Sequence, residues 1–185
     1  MKLVVGLGNP DRKYKKTRHN VGFRVLQEVA KNYAVGKPKA KFQGELVEAK
    51  IGSEKLLLLC PHTYMNNSGN SVQPACDFYK LKMDELLVVC DDFNFSFGIL
   101  RFRAKGSAGG QKGLADIIRR LGSDRFSRLR VGIGSPPEHY DVADFVLSQF
   151  TKSEAPEIEE TIGRSCEAVA SWARHGIEYS MNQYN

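Results

Sequence analysis

The chain has 185 residues, 42% hydrophobic and 26% charged, a length and balance suited to one globular domain with a substantial core. No apolar run approaches the roughly 20 residues that span a bilayer. The opening MKLVVGLGNP lacks the longer apolar region and cleavage site of a signal peptide, so a soluble intracellular protein is expected. The net charge of +6 suits a polyanionic partner without requiring one.

Taken in order, KLVVGL reads as a buried strand. The stretch NVGFRVLQEVAKNYA then places Val21, Val25 and Val29 on one helical face, with Leu26 and Ala30 beside it. GELVEAKI and KLLLLC predict two further strands, and a helix follows near residues 68–80. Pro74 leaves the start of that helix open, because proline suits a first turn and not an interior. ELLVVC is a short, wholly apolar strand. GILRFRA alternates, sending Leu100, Phe102 and Ala104 one way and Arg101, Arg103 and Lys105 the other. Leu114, Ile117, Ile118 and Leu121 share a helical face, RLRVGIG is another strand, and a last helix from about Ser153 buries Ile158, Ile162, Cys166, Val169 and Trp172.

Strands alternating with helices predict a single three-layer α/β/α domain over residues 1–185, with a mixed, largely parallel central sheet. In such sheets the ligand site lies beyond the C-terminal strand ends. There the sequence offers Asn9 after the first strand and His19 on the same connection. Tyr64, Met65, Asn66 and Asn67 follow KLLLLC, and Asp91 and Asp92 follow ELLVVC. A neutral imidazole can take a proton from water and return it to a leaving alcohol. A carboxylate on its other nitrogen sets the tautomer, and carboxamides can hold water and donate to a developing oxyanion. No GxSxG elbow is present, which favours direct attack by water. The plainer alternatives stay open: His19 as a cap, Asn9 and Asn66 as turn formers, Asp91 as a loop cap.

Other patterns carry less. GLGNP lacks the third glycine of GxGxxG, so no nicotinamide cofactor is expected. GSAGGQKG opens a helix and suits a phosphate, though it lacks the GK[ST] of a P-loop. Cys60, Cys76, Cys90 and Cys166 are widely spaced and read as core thiols. His62, His139 and His175 form no metal-ligand spacing. Two basic clusters, Arg12, Lys13, Lys15, Lys16 and Arg18, then Arg101, Arg103 and Lys105, suit phosphate contacts or a solvated surface.

VGLGNP, TRHNVGF, TYMNNSG, a strand ending in DD, GSAGG and RLRVGIGSPP occur in an order that resembles bacterial-type peptidyl-tRNA hydrolases from Met1 to the final helix. The resemblance implies hydrolysis of the ester between a peptide and a tRNA ribose, by a cytoplasmic monomer with no metal or cofactor and no membrane attachment. It implies His19 as catalytic base, Asp91 as its orienting partner, and Asn9 and Asn66 as amides positioning substrate and water. Tyr14 and Met65 would line the site beside the tRNA end, with Arg103 and Arg130 on phosphate; Lys105, from the basic stripe, is a further candidate for a phosphate contact.

Two departures stand out. Gln111 and Lys112 occupy positions usually held by His and Asn, and Asn94 replaces a common aspartate. Gln111 and Lys112 are expected to touch substrate in place of the usual pair. Two rivals remain: a catalytically impaired RNA-binding relative, supported only by the Gln111-Lys112 change and opposed by the intact His19/Asp91 pair, and a small-molecule esterase, which the basic surface disfavours.

Overall fold

In the computed structural model, which describes residues 1–185, the elements run β1 (Lys2–Gly6), α1 (Val21–Tyr33), β2 (Lys39–Lys41), β3 (Gly44–Ile51), β4 (Glu54–Pro61), α2 (Gly69–Tyr79), β5 (Leu86–Asp92), β6 (Leu100–Arg103), α3 (Lys112–Leu121), β7 (Ser127–Gly132), α4 (Val142–Leu147) and α5 (Ala155–Tyr184). All seven strands join one sheet in the order β2-β3-β4-β1-β5-β7-β6. The pairs β4–β1, β1–β5 and β5–β7 are parallel, whereas β2–β3, β3–β4 and β6–β7 are antiparallel. Only β3 and β6 therefore run against the rest, which is the mixed, largely parallel sheet that the sequence predicts.

Strand periodicity divides the interior in two. Val4 faces a core with Val25, Leu87 and Trp172 beneath α1 and α5. Leu3 and Val5 face the opposite core with Val72, Ala75 and Ile117 beneath α2 and α3. Helices on both faces make the three layers, and Trp172 closes its contact with a hydrogen bond from Nε1 to Ser127 Oγ at 3.2 Å. Close approach of α1 to the sheet depends on Gly22, where a Cβ would lie 2.5 Å from both Leu7 N and Val89 O. GLGNP thus belongs to a helix–strand contact, with Leu7 N–H bonded to the Val89 carbonyl at 3.0 Å.

Several details depart from the sequence expectation. Pro74 lies inside α2. The helix continues through it, forgoing only the bond that a residue there would donate to the Asn70 carbonyl. The strand β6 stops at Arg103, so Ala104 is exposed where alternation had turned it inward. The short strand β2 and the helix α4 were not anticipated, and α5 kinks at Gly176 (φ 80°). Past the kink, the Asn185 side chain accepts from Phe102 N–H at 2.7 Å and donates to its carbonyl at 3.1 Å. An amide thereby takes the place of a neighbouring strand on the edge of β6.

Candidate active site

The parallel strands β1, β4 and β5 end side by side and deliver three loops to one edge. Asn9, just beyond β1, is held on every side but one. Its N–H donates to Asn20 Oδ1 and its carbonyl accepts from Asn20 Nδ2, both at 2.9 Å. Its own Oδ1 accepts the Met65 N–H at 2.8 Å, joining the loops after β1 and β4. With Oδ1 taken, the Nδ2 amide is the part of Asn9 available to the cleft. Asn20, buried and unflagged by the sequence pattern beyond its place in TRHN, is what fixes that orientation.

His19 sits on a short 3-10 turn, Arg18–Asn20, that leads into α1. Its Nδ1 lies 2.8 Å from Asp91 Oδ2, at the C-terminal end of β5. Asp91 accepts, so Nδ1 carries the proton and the lone pair on Nε2 is left for the cleft. Asp91 is 2% exposed and the His19 side chain 11%, so the carboxylate is shielded while the ring edge remains reachable. Gln111 Nε2 donates to the other oxygen, Asp91 Oδ1, at 3.0 Å.

Around this pair lies a cleft of about 520 Å³. Asn9, His19, Asp91, Asn66 and Gln111 form its polar floor, and Tyr14, Met65 and Lys112 also line it. Lys112 is exposed at the first turn of α3. Val142, Ala143, Val146 and Leu147 of α4 supply an apolar wall, together with Phe93. Asp141 caps this short helix by accepting the Asp144 N–H at 3.0 Å. The cap followed by Val142 and Val146 at i, i+4 was the sequence signal for it. Tyr64, in the left-handed region at φ 63°, reaches across the rim to donate to Asp11 at 3.1 Å. That bond and the charge of Asp11 push the Tyr64 phenol pKa above its ordinary value.

The basic residues divide sharply. Arg12, Lys13, Lys15 and Lys16 are exposed together, but Arg18 is not part of that surface. Its guanidinium lies between Phe145 and Phe150, 4.7 and 4.8 Å from their ring centroids. It donates to both Glu154 oxygens, at 3.0 and 2.8 Å, and to the Ile133 carbonyl at 3.2 Å. Arg130 likewise turns inward, to Asp92 Oδ2 at 2.8 Å and the Ser107 carbonyl at 2.6 Å. It props the glycine loop against β5, so tight that a Cβ on Gly109 (φ 59°) would meet its Nη1 at 2.5 Å. Arg103 is exposed but bonded to its own strand's Phe102 carbonyl, and Lys105 is exposed; neither lines the cleft. Arg101, half-exposed on the same side of β6 as Arg103, bonds the Asn185 backbone oxygen at 2.9 Å.

The two departures also acquire places. Asn94 Nδ2 donates to Asp92 Oδ1 at 3.0 Å and to the Gly109 carbonyl at 3.2 Å. An ionised aspartate could donate to neither. Gln111 Oε1 caps α3 by accepting the Leu114 N–H at 2.7 Å, which removes one donor that a phosphate at this helix start would use. No three His, Cys, Asp or Glu side chains converge as metal ligands. What does converge is an imidazole with a fixed tautomer, a buried carboxylate behind it and a carboxamide donor. Such a set can deprotonate a water and stabilise the charge that forms on an attacked carbonyl.

The family model for peptidyl-tRNA hydrolase matches residues 3–185. The peptidyl-tRNA hydrolase of Rhodopirellula baltica is 54% identical over all 185 residues, which span 97% of that protein. The one from Syntrophomonas wolfei is 44% identical over the full length of both chains. Among solved structures, the peptidyl-tRNA hydrolase of Acinetobacter baumannii is 34% identical and superimposes with a TM-score of 0.92, over 100% of this chain and 94% of that one.

Proposed function

The chain belongs to the peptidyl-tRNA hydrolase family, and from that membership we propose how its cleft hydrolyses peptidyl-tRNA. His19 is the base. Its Nε2 takes a proton from water as the oxygen attacks the ester carbonyl that joins the peptide to the ribose. Asp91 stabilises the imidazolium that results, and the same imidazolium then returns the proton to the departing ribose hydroxyl. Asn9 donates through Nδ2 to the tetrahedral oxyanion, and Asn66, which also lines the cleft, holds the water or the substrate amide. The products are a free peptide carboxylate and a tRNA with its hydroxyl restored.

The observation that carries this reading is the 2.8 Å contact between His19 Nδ1 and Asp91 Oδ2 on the floor of the cleft. The remaining assignments rest on family membership and on where each residue lies relative to the cleft. Tyr14 and Met65 flank the terminal nucleotide, and Lys112 stands at the mouth where it can meet a phosphate or a peptide carbonyl. Arg103 and Lys105 offer a more distant hold on tRNA phosphate. Arg130 acts on phosphate only indirectly, by shaping the glycine loop, because its guanidinium already serves Asp92 and Ser107. A monomer is the state that the resemblance to the family implies. No helix is long and apolar enough to cross a membrane, and a cytoplasmic location is proposed from the ribosomal origin of the substrate.

Release of free tRNA from an N-acetylaminoacyl-tRNA tests the assignment. His19→Ala is expected to lower the rate by about 10²–10⁴ while tRNA binding persists. Wild-type protein that binds tRNA but releases nothing would instead identify the impaired RNA-binding relative. Turnover of simple esters with no response to tRNA would favour the small-molecule esterase.

A further inference from the structure

Gln111 is 5% exposed, and its side chain is bonded within the protein at both ends. Nε2 donates to Asp91 Oδ1 at 3.0 Å and lies 3.1 Å from Met65 Sδ, while Oε1 accepts the Leu114 N–H at 2.7 Å. These partners dictate the amide's orientation, since an N–H requires an oxygen and a carboxylate requires a donor. A continuous line of bonds therefore runs from the first turn of α3 through Gln111 and Asp91 to His19 Nδ1.

We propose that Gln111 is a positioning residue for the reaction and not a ligand of the substrate. It grips one oxygen of Asp91 so that the other stays aimed at His19. This inference rests on the reading of His19 as the base. The choice of an amide has a physical consequence. A buried carboxylate oxygen needs a donor, but a cation in this place would pair with Asp91 and weaken its attraction for an imidazolium. A neutral amide satisfies the oxygen and leaves the full negative charge to act on His19. Its own Oε1 is anchored to the backbone of α3, so the donor cannot rotate away.

Two variants of similar size separate this role from the helix cap. Gln111→Met loses both functions. Gln111→Glu keeps the oxygen that accepts Leu114 N–H, but it can donate to Asp91 only while the two carboxyl groups share a proton. Kinetics on N-acetylaminoacyl-tRNA are read as kcat and KM, normalised to the folded fraction from circular dichroism, beside wild type and His19→Ala. For Gln111→Met, kcat is expected to fall by about 10- to 100-fold, as for a lost hydrogen bond to a charged group, with KM changed by less than about twofold. For Gln111→Glu, the ratio of kcat to that of wild type is expected to fall as pH rises and the shared proton is lost. A raised KM with unchanged kcat in Gln111→Met would make Gln111 a substrate contact and overturn the proposal, as would a pH-independent ratio for Gln111→Glu. Full activity in His19→Ala would instead sink the underlying reading of the site, a result visible before either Gln111 variant is assayed.

Discussion

At the residue scale, the two ends of Asn9 do different work. Its Oδ1 is a structural acceptor for Met65 N–H, and Nδ2 is the group assigned to the oxyanion in the proposed mechanism. Asn9→Asp separates these functions, because the carboxylate still accepts from Met65 but cannot donate to an oxyanion. The expected result is a kcat lower by about 10²–10³ with little change in melting temperature. A large loss of stability would show that the fold does not tolerate a carboxylate at this buried position. Residue types and their order make His19, Asp91, Asn9 and Asn66 legible as one constellation in the sequence alone, and all four line the cleft. Asn20 was not legible in the same way. An Asn before a helix ordinarily reads as a cap, whereas this one makes no side-chain cap bond and clasps the backbone of a residue eleven positions earlier.

At the element scale, Arg18 ties the catalytic turn to the apolar wall of the cleft. Next to His19 in sequence, it packs between Phe145 of α4 and Phe150 and pairs with Glu154 beside the start of α5. Burial alone would raise the pKa of the Glu154 carboxyl, but the hydrogen bonds and charge of Arg18, with those from Thr151, outweigh it and the value falls below the ordinary 4.5. The sign follows: a depressed carboxyl contributes stability that is complete above the unfolded value and is lost as pH falls through the folded one. Melting temperature is therefore expected to drop on acidification below about pH 4.5, and Glu154→Gln to flatten that dependence. Glu154→Ala removes the partner of a nearly buried guanidinium. It should cost up to about 3–5 kcal/mol in chemical denaturation; less than about 1 kcal/mol would mean that Arg18 finds water instead. The cluster from Arg12 to Arg18 looked uniform in the sequence because charge alone carries no direction. The fold turns four of its members outward and one into an aromatic slot.

At the scale of the whole molecule, the net charge of +6 acts through the residues that remain at the surface. Arg12, Lys13, Lys15 and Lys16 are exposed on the connection that carries His19, where they can meet the tRNA backbone. Each phosphate neutralised contributes about −0.7 to −0.9 to the slope of log affinity against log salt. Replacing both lysines in Lys15→Glu/Lys16→Glu should raise KM and reduce that slope by about 2, with kcat nearly unchanged. An unaltered slope would move the phosphate contacts elsewhere, toward Arg103 and Lys105.

The sequence by itself determined the order of the principal elements, β2 and α4 apart, together with the apolar character of the sheet and the set of chemical groups at its C-terminal edge. These depend on local periodicity and on the rule that parallel strands end together. Which basic side chains face outward, how Gln111 reaches Asp91, and the α4 wall of the cleft were decided only by tertiary structure. Each of those depends on partners distant along the chain: Glu154 for Arg18, Asp92 for Arg130 and Asp91 for Gln111. A charged or polar side chain favours water unless a buried partner offsets its desolvation, so its role is settled by what the fold places within about 3 Å of it.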